Sequence, residues 1–157
     1  VDGTIVWRET SVYLSPLPAG ARKKTYKPAG QASAEPDWGE PVAEWSLKAD
    51  AGRKFSGPAG DPNPIHMSAI TAKMFGFKRA IAHGMYSAAR CLAVMERNRP
   101  VEVPCRFEVR FKKPLFIPGS VALHTAAEED GTRFVLKVKP RGEPHIDGRF
   151  TKAEAWD

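Results

Sequence analysis

The sequence contains no run of 18 or more apolar residues, and its opening, Val1-Asp2-Gly3-Thr4, has neither a basic n-region nor an apolar h-region. A membrane-spanning helix and an export leader are therefore not expected, and the cytoplasm is the expected compartment. The chain also lacks an initiator methionine, which fits one part of a longer polypeptide. Cysteine is scarce. Cys91 lies in a helical pattern and Cys105 in a strand pattern, with no histidine or second cysteine at metal-ligand spacing around either, so two buried, reduced thiols are expected. Clustered positive charge is missing too. The net charge is +6, but Arg22, Lys23, Arg53, Lys78, Arg97, Lys112 and Arg141 are scattered among acids rather than gathered with aromatics on one strand face. Nucleic acid is disfavoured as a partner; a small phosphate-bearing carrier suits the same excess.

What is present is enough for one globular domain: 157 residues, 42% of them hydrophobic. Alternation predicts a strand over Thr4 to Leu14, after which residues 21–41 are rich in Lys, Pro, Gly, Ala and Ser and read as a loop-rich arm. The expected organisation is thus an arm over 1–41 and a domain over 42–157. Within the domain, Val42 to Ala49 reads as a short strand. Asp50 to Gly57 reads as at most one weak helical turn, because Gly52 and Gly57 each disfavour helix by about 1 kcal/mol. Asn63-Pro64 is an N-cap followed by proline at the first helical position, predicting a helix from Pro64 to a left-handed stop at Gly76, with Phe77 folding back. A longer helix is predicted from Ala82 to Asn98, with a buried stripe of Met85, Ala88, Ala89, Leu92, Ala93 and Met95. The clearest strand spans residues 102–112. Turns at Pro118-Gly119, Asp130-Gly131 and Pro140 to Pro144 mark off three more, Ser120 to Ala127, Arg133 to Lys139 and His145 to Trp156. The class is α+β, one long helix on an antiparallel sheet.

Functional residue types concentrate in Gly60-Asp61-Pro62-Asn63-Pro64-Ile65-His66. The two prolines hold the backbone extended up to the cap, so the loop is preorganised. His66 falls in the first helical turn, where the helix dipole disfavours the imidazolium, and Asp61 stands close enough to share a water or a hydroxyl with it. The plainer reading, turn residues with a capping Asn63, accounts for the same segment. A second place is Ala82-His83-Gly84-Met85, where Gly84 leaves unpaired N–H groups accessible at a helix start, a ready oxyanion site, or simply permits close packing against a strand. Asp61, His66 and His83 make a carboxylate and two histidines, but not at the spacing of a recognised helix-borne metal site, so no metal is expected. His124 and His145 carry no partner pattern and read as ordinary residues.

Gly60-Asp61-x-Asn63-Pro64-x-His66, with Phe55 upstream, Ala82-His83-Gly84-Met85 downstream, and Val109-Arg110-Phe111-Lys112-Lys113-Pro114-Leu115 and Pro118-Gly119 beyond, resembles the MaoC-like (R)-specific enoyl-CoA hydratase family over roughly residues 42 to 156. That resemblance implies a hot-dog fold, a long central helix wrapped by a curved antiparallel sheet. It also implies reversible hydration of trans-2-enoyl thioesters, or dehydration of (R)-3-hydroxyacyl thioesters, on coenzyme A or an acyl carrier protein. By position, Asp61 and His66 match the family's catalytic pair and Gly84 its backbone donor to the thioester carbonyl; Asn63, His83 and Met85 are expected beside the substrate. No cofactor is implied, and the expected assembly is a homodimer or a pairing with a second hot-dog unit. Two departures stand out: Ala59 replaces the usual Ser or Thr before the motif glycine, and Pro62 sits between Asp and Asn. The first 41 residues resemble the lead-in of longer actinobacterial-type members, in which a degenerate hot-dog unit precedes the catalytic one. The rival reading is a non-catalytic hot-dog module that binds acyl carriers or a partner subunit. A hot-dog thioesterase would want a carboxylate on the long helix facing the thioester, and Glu96 lies too near its C-terminal end.

Overall fold

The computed structural model describes residues 7–11, 35–98 and 102–153. The chain divides into a unit of residues 1–35 with 156–157 and a larger unit, 36–155, which carries the fold. Residues 7–11 carry no strand, and the rest of the strand expected over 4–14 lies outside the described residues.

The larger unit runs β1 (Ala43–Leu47), α1 (Ala51–Ala59), α2 (Pro64–Met67), α3 (Ala69–Met74), α4 (Gly84–Asn98), β2 (Cys105–Phe111), β3 (Gly119–Glu128), β4 (Gly131–Val138) and β5 (Glu143–Lys152). The strands form one five-stranded antiparallel sheet in the order β1-β3-β4-β5-β2. β3 and β4 alternate least and are buried most, as central strands covered by a helix must be: Val121, Leu123, Phe134 and Leu136 are fully enclosed. Facing them from α4 are Ala88 and Cys91, whose small side chains let the helix axis come close to the sheet. Burial pushes the Cys91 thiol up to about 12, so it stays protonated and inert.

Three expectations about the helices change. Residues 51–59 form a nine-residue helix, not one weak turn, because Gly52 packs against the main chain of His66: a β-carbon there would stand 1.9 Å from the His66 carbonyl oxygen. Tertiary contact overrides the low propensity. The helix begun at Pro64 breaks at Ser68, which is extended (φ −157°, ψ 162°) and whose hydroxyl accepts the Thr71 N–H at 3.1 Å, starting α3 afresh. Gly76 does take a left-handed φ of 84°, and the Phe77 N–H returns to the Ala72 carbonyl. Finally, α4 starts at Gly84 rather than Ala82, and its buried face is Ser87, Ala88 and Cys91, while Met85, Ala89 and Ala93 are exposed. Alanines distributed around the helix made the phase of the stripe ambiguous. Among the described residues, no helix is long and apolar enough to cross a membrane.

One buried polar link ties α4 to the sheet. His145 on β5 donates from Nδ1 to the Lys113 carbonyl at 2.6 Å, leaving Nε2 to accept the Ser87 hydroxyl at 2.9 Å. His145 is therefore a structural tie, buried and neutral, with burial holding its pKa below the ordinary histidine value.

Candidate active site

The loop between α1 and α2 presents Asp61, and the chain just before α4 presents His83. Local bonds fix both. Asp61 Oδ1 accepts the Asn63 N–H at 3.2 Å and Asn63 Oδ1 accepts the Ile65 N–H at 3.3 Å, so the asparagine is engaged as the α2 cap. Asp61 Oδ2 is left facing two imidazoles, 3.9 Å from His66 Nε2 and 3.8 Å from His83 Nε2. Both gaps exceed a hydrogen bond. A substrate oxygen about 2.8 Å from each of two such groups bridges them.

Hydrogen-bond roles follow from the carbonyls. His66 Nδ1 lies 2.8 Å from the Ile81 carbonyl, which can only accept, so Nδ1 carries the proton and Nε2 presents its lone pair toward Asp61. The Ile81 N–H in turn donates to the Ile65 carbonyl at 3.1 Å, locking the two segments together. His83 Nε2 lies 3.0 Å from the Asp61 carbonyl oxygen and donates to it. The two imidazoles stack at 3.7 Å between centroids, 28° from parallel, and Phe55 meets His83 edge-on at 5.2 Å. His83 Nδ1 is buried without a hydrogen-bond partner.

The pKa of His66 is lowered, first by burial and then by the neighbouring His83, with the Ile81 hydrogen bond and Asp61 opposing. Burial, not the dipole of α2, is thus the main cause, since that helix is only four residues long. The consequence for stability has a definite sign. His66 and His145 both have folded pKa values below the unfolded value near 6.5, so below that pH the unfolded chain binds more protons. Stability is expected to be full above about pH 6.5 and to fall as pH drops toward the folded values, seen as a declining urea midpoint between about pH 7 and 5. A midpoint rising over that range would contradict the buried, neutral assignment.

Asp61, His66 and His83 each offer one ligand atom within 4.8 Å of the others, the group among the described residues that could hold a metal ion. The donor set argues for proton chemistry instead: His83 Nε2 is committed as a donor to a carbonyl, which leaves His66 Nε2 and one carboxylate. Gly84 follows His83 directly and opens α4, so its N–H has no acceptor within the helix. Its Cα is also covered by Phe111, whose Cε1 would stand 2.5 Å from an added β-carbon. Close packing against Phe111 is what glycine serves here. Met85 is exposed.

A model of the MaoC-like domain matches residues 39–148. The chain belongs to the MaoC-like dehydratase domain family. The chain is 32% identical over 146 residues to 3-hydroxyacyl-thioester dehydratase X of Mycobacterium tuberculosis, covering 93% of the chain and 50% of that protein. The crystal structure of that dehydratase, HtdX, superposes with a TM-score of 0.67 at 34% identity, covering 73% of this chain and 48% of the other. The chain thus spans about half the length of this relative. The (R)-hydratase from A. caviae involved in PHA biosynthesis superposes at TM-score 0.57 and 22% identity, over 71% of this chain and 93% of the hydratase, a likeness of fold. The MaoC-like domain therefore has the hot-dog fold, with α4 as its central helix.

Residues outside the motif complete the site. The Ile81 carbonyl sets the His66 tautomer, and Phe55, edge-on to His83, is itself met edge-on by Tyr86 at 5.4 Å. A backbone carbonyl fifteen residues away leaves no trace in residue type; Phe55 did carry a signal, as the aromatic upstream of the motif.

Proposed function

We propose that this domain is the acid/base half-site of a hydro-lyase that interconverts (R)-3-hydroxyacyl and trans-2-enoyl thioesters carried on coenzyme A or an acyl carrier protein. The observation that carries the reading is the free Nε2 lone pair of a neutral, tautomer-locked His66 facing the Asp61 carboxylate across 3.9 Å. In the hydration direction, a water between them gives a proton to His66 Nε2 and a hydrogen bond to Asp61 while its oxygen adds to C3. The negative charge that builds on the thioester oxygen is met by the Gly84 N–H, a contribution of about 3–4 kcal/mol for one such donor. The proton then passes to C2, so that H and OH are both delivered; dehydration is the reverse.

His83 supports this pair from behind. Its ring is buried, its Nε2–H holds the Asp61 main chain, and, stacked on His66, it adds to the lowering of the His66 pKa. Asn63 and Met85 remain proposed neighbours of the substrate, Met85 through its exposed thioether. A non-catalytic module would have no use for this arrangement, in which a half-exposed Asp61 carboxylate faces two buried imidazoles. The proposed partner is a second hot-dog unit, in a homodimer or a paired assembly: among the described residues β2 pairs on one side only, and Phe111 and Met85 lie exposed beside Gly84.

The test is loss of the enoyl-thioester absorbance band on adding the protein to crotonyl-CoA. Hydration is expected; well-folded protein inert on both crotonyl-CoA and a longer trans-2-enoyl-CoA would overturn the reading.

A further inference from the structure

Gly84 is held to the exit of β2 from both sides. Two residues before it, the Ala82 N–H donates to the Leu115 carbonyl at 2.8 Å. Three residues after it, the Ser87 hydroxyl donates to His145 Nε2 at 2.9 Å, and the same ring donates from Nδ1 to the Lys113 carbonyl at 2.6 Å. The His145 carbonyl in turn accepts the Lys112 N–H at 2.9 Å, so residue 145 grips the chain just beyond Phe111, whose ring lies against Gly84. Ser87 also closes the first turn of α4: its N–H donates to the His83 carbonyl at 3.3 Å, and Gly84 sits inside that turn.

We propose that Ser87 and His145 are positioning residues for the Gly84 N–H, fixing the first turn of α4 against residues 111–115 so that this donor meets the thioester oxygen. The proposal rests on the thioester reading above. The two anchors differ in kind. The Ala82 bond runs from main chain to main chain and survives a change of side chain, whereas the Ser87 link needs a hydroxyl on α4 and an imidazole on β5. Both side chains are almost wholly buried, Ser87 at 1% and His145 at 4% exposure, and Ser87 shares its face of α4 with Ala88 and Cys91. Packing alone would be met by an apolar pair there, without desolvating a hydroxyl and an imidazole. What the polar pair adds is direction, because a fully engaged buried link specifies one geometry. An oxyanion donor requires that: a misplacement of about 1 Å can cost about 10²-fold in rate.

The test compares wild type with three variants. Ser87→Ala removes the donor, Ser87→Cys keeps a similar volume with a weak donor, and His145→Asn can still donate to the Lys113 carbonyl but loses the acceptor. Two quantities are read in each folded protein: kcat on crotonyl-CoA, and the infrared carbonyl band of bound butyryl-CoA, which does not turn over and whose band a hydrogen bond lowers. Wild type is expected to lower the band, and all three variants to return it toward the free value. The kcat should fall by about 10- to 100-fold in Ser87→Ala and His145→Asn, and by less in Ser87→Cys, at unchanged KM. A link that merely stabilises the fold leaves the band where wild type has it. That result, or a wild-type kcat in Ser87→Ala, or a wild-type band at the free value, overturns the proposal. If Ser87→Ala and His145→Asn fail to fold, the band in Ser87→Cys decides. A band that depends on Ser87 in protein that hydrates nothing supports the positioning role and sinks the reaction; wild type that neither hydrates crotonyl-CoA nor binds butyryl-CoA sinks both.

Discussion

His66→Asn is expected to lower kcat for hydration of crotonyl-CoA by roughly 10²–10⁴-fold, the usual contribution of a positioned acid/base. Asparagine can place its amide N–H where Nδ1 was and still donate to the Ile81 carbonyl, while no base is left facing Asp61. Asp61→Asn is expected to fall as far. Its amide oxygen can keep the bond from the Asn63 N–H that shapes the turn, but an NH2 then stands where Oδ2 faced the histidines. The two losses should not multiply in the double variant, because groups that act on one proton are not additive. Rates at saturating substrate, with circular dichroism to verify folding, are the measurement. A loss under about threefold in either single variant would remove that residue from the chemistry.

Gly52→Ala should destabilise the protein, although alanine is ordinarily the better helix former by about 1 kcal/mol. The added methyl would meet the His66 carbonyl oxygen at 1.9 Å and its carbon at 2.8 Å, both main-chain atoms that cannot rotate aside. Overpacking of this kind costs about 1–3 kcal/mol and sometimes more. Relief requires α1 and α2 to separate, which carries His66 away from Asp61, so kcat should fall with stability. A thermal midpoint that falls for Gly52→Ala would establish that α1 serves as a spacer under the histidine; one that rises would show that the α1–α2 contact yields without strain.

The strands of the larger unit were legible because turn residues, and on β2 alternation, are local signals. β3 and β4 end within a residue or two of their expected limits, and Gly76 terminates its segment through a backbone angle that residue type reports directly. The helical elements before α4 were less so. Ser68 breaks the helix because its hydroxyl captures Thr71, a competition that serine offers everywhere and wins only in some places. Gly52 argued against helix locally while permitting the contact that sustains it. At the site, proximity of Asp61 to His66 could be anticipated from spacing. The stacking of His83 on His66 needed the chain to return after α3, and His145, taken as unremarkable, was buried by a partner on a different element, Ser87.

The tautomer of His66 is set by a carbonyl, and every residue has one. Exchanging the side chain at position 81 for another buried apolar group leaves the oxygen in place as long as Ile81 still bridges to Phe116 and bonds Ile65. The setting that decides which ring nitrogen carries the proton is therefore robust to point mutation at the residue that provides it. It is vulnerable instead to whatever shifts the path of the main chain: an insertion or deletion between α3 and α4 would retune the histidine without touching a single catalytic side chain.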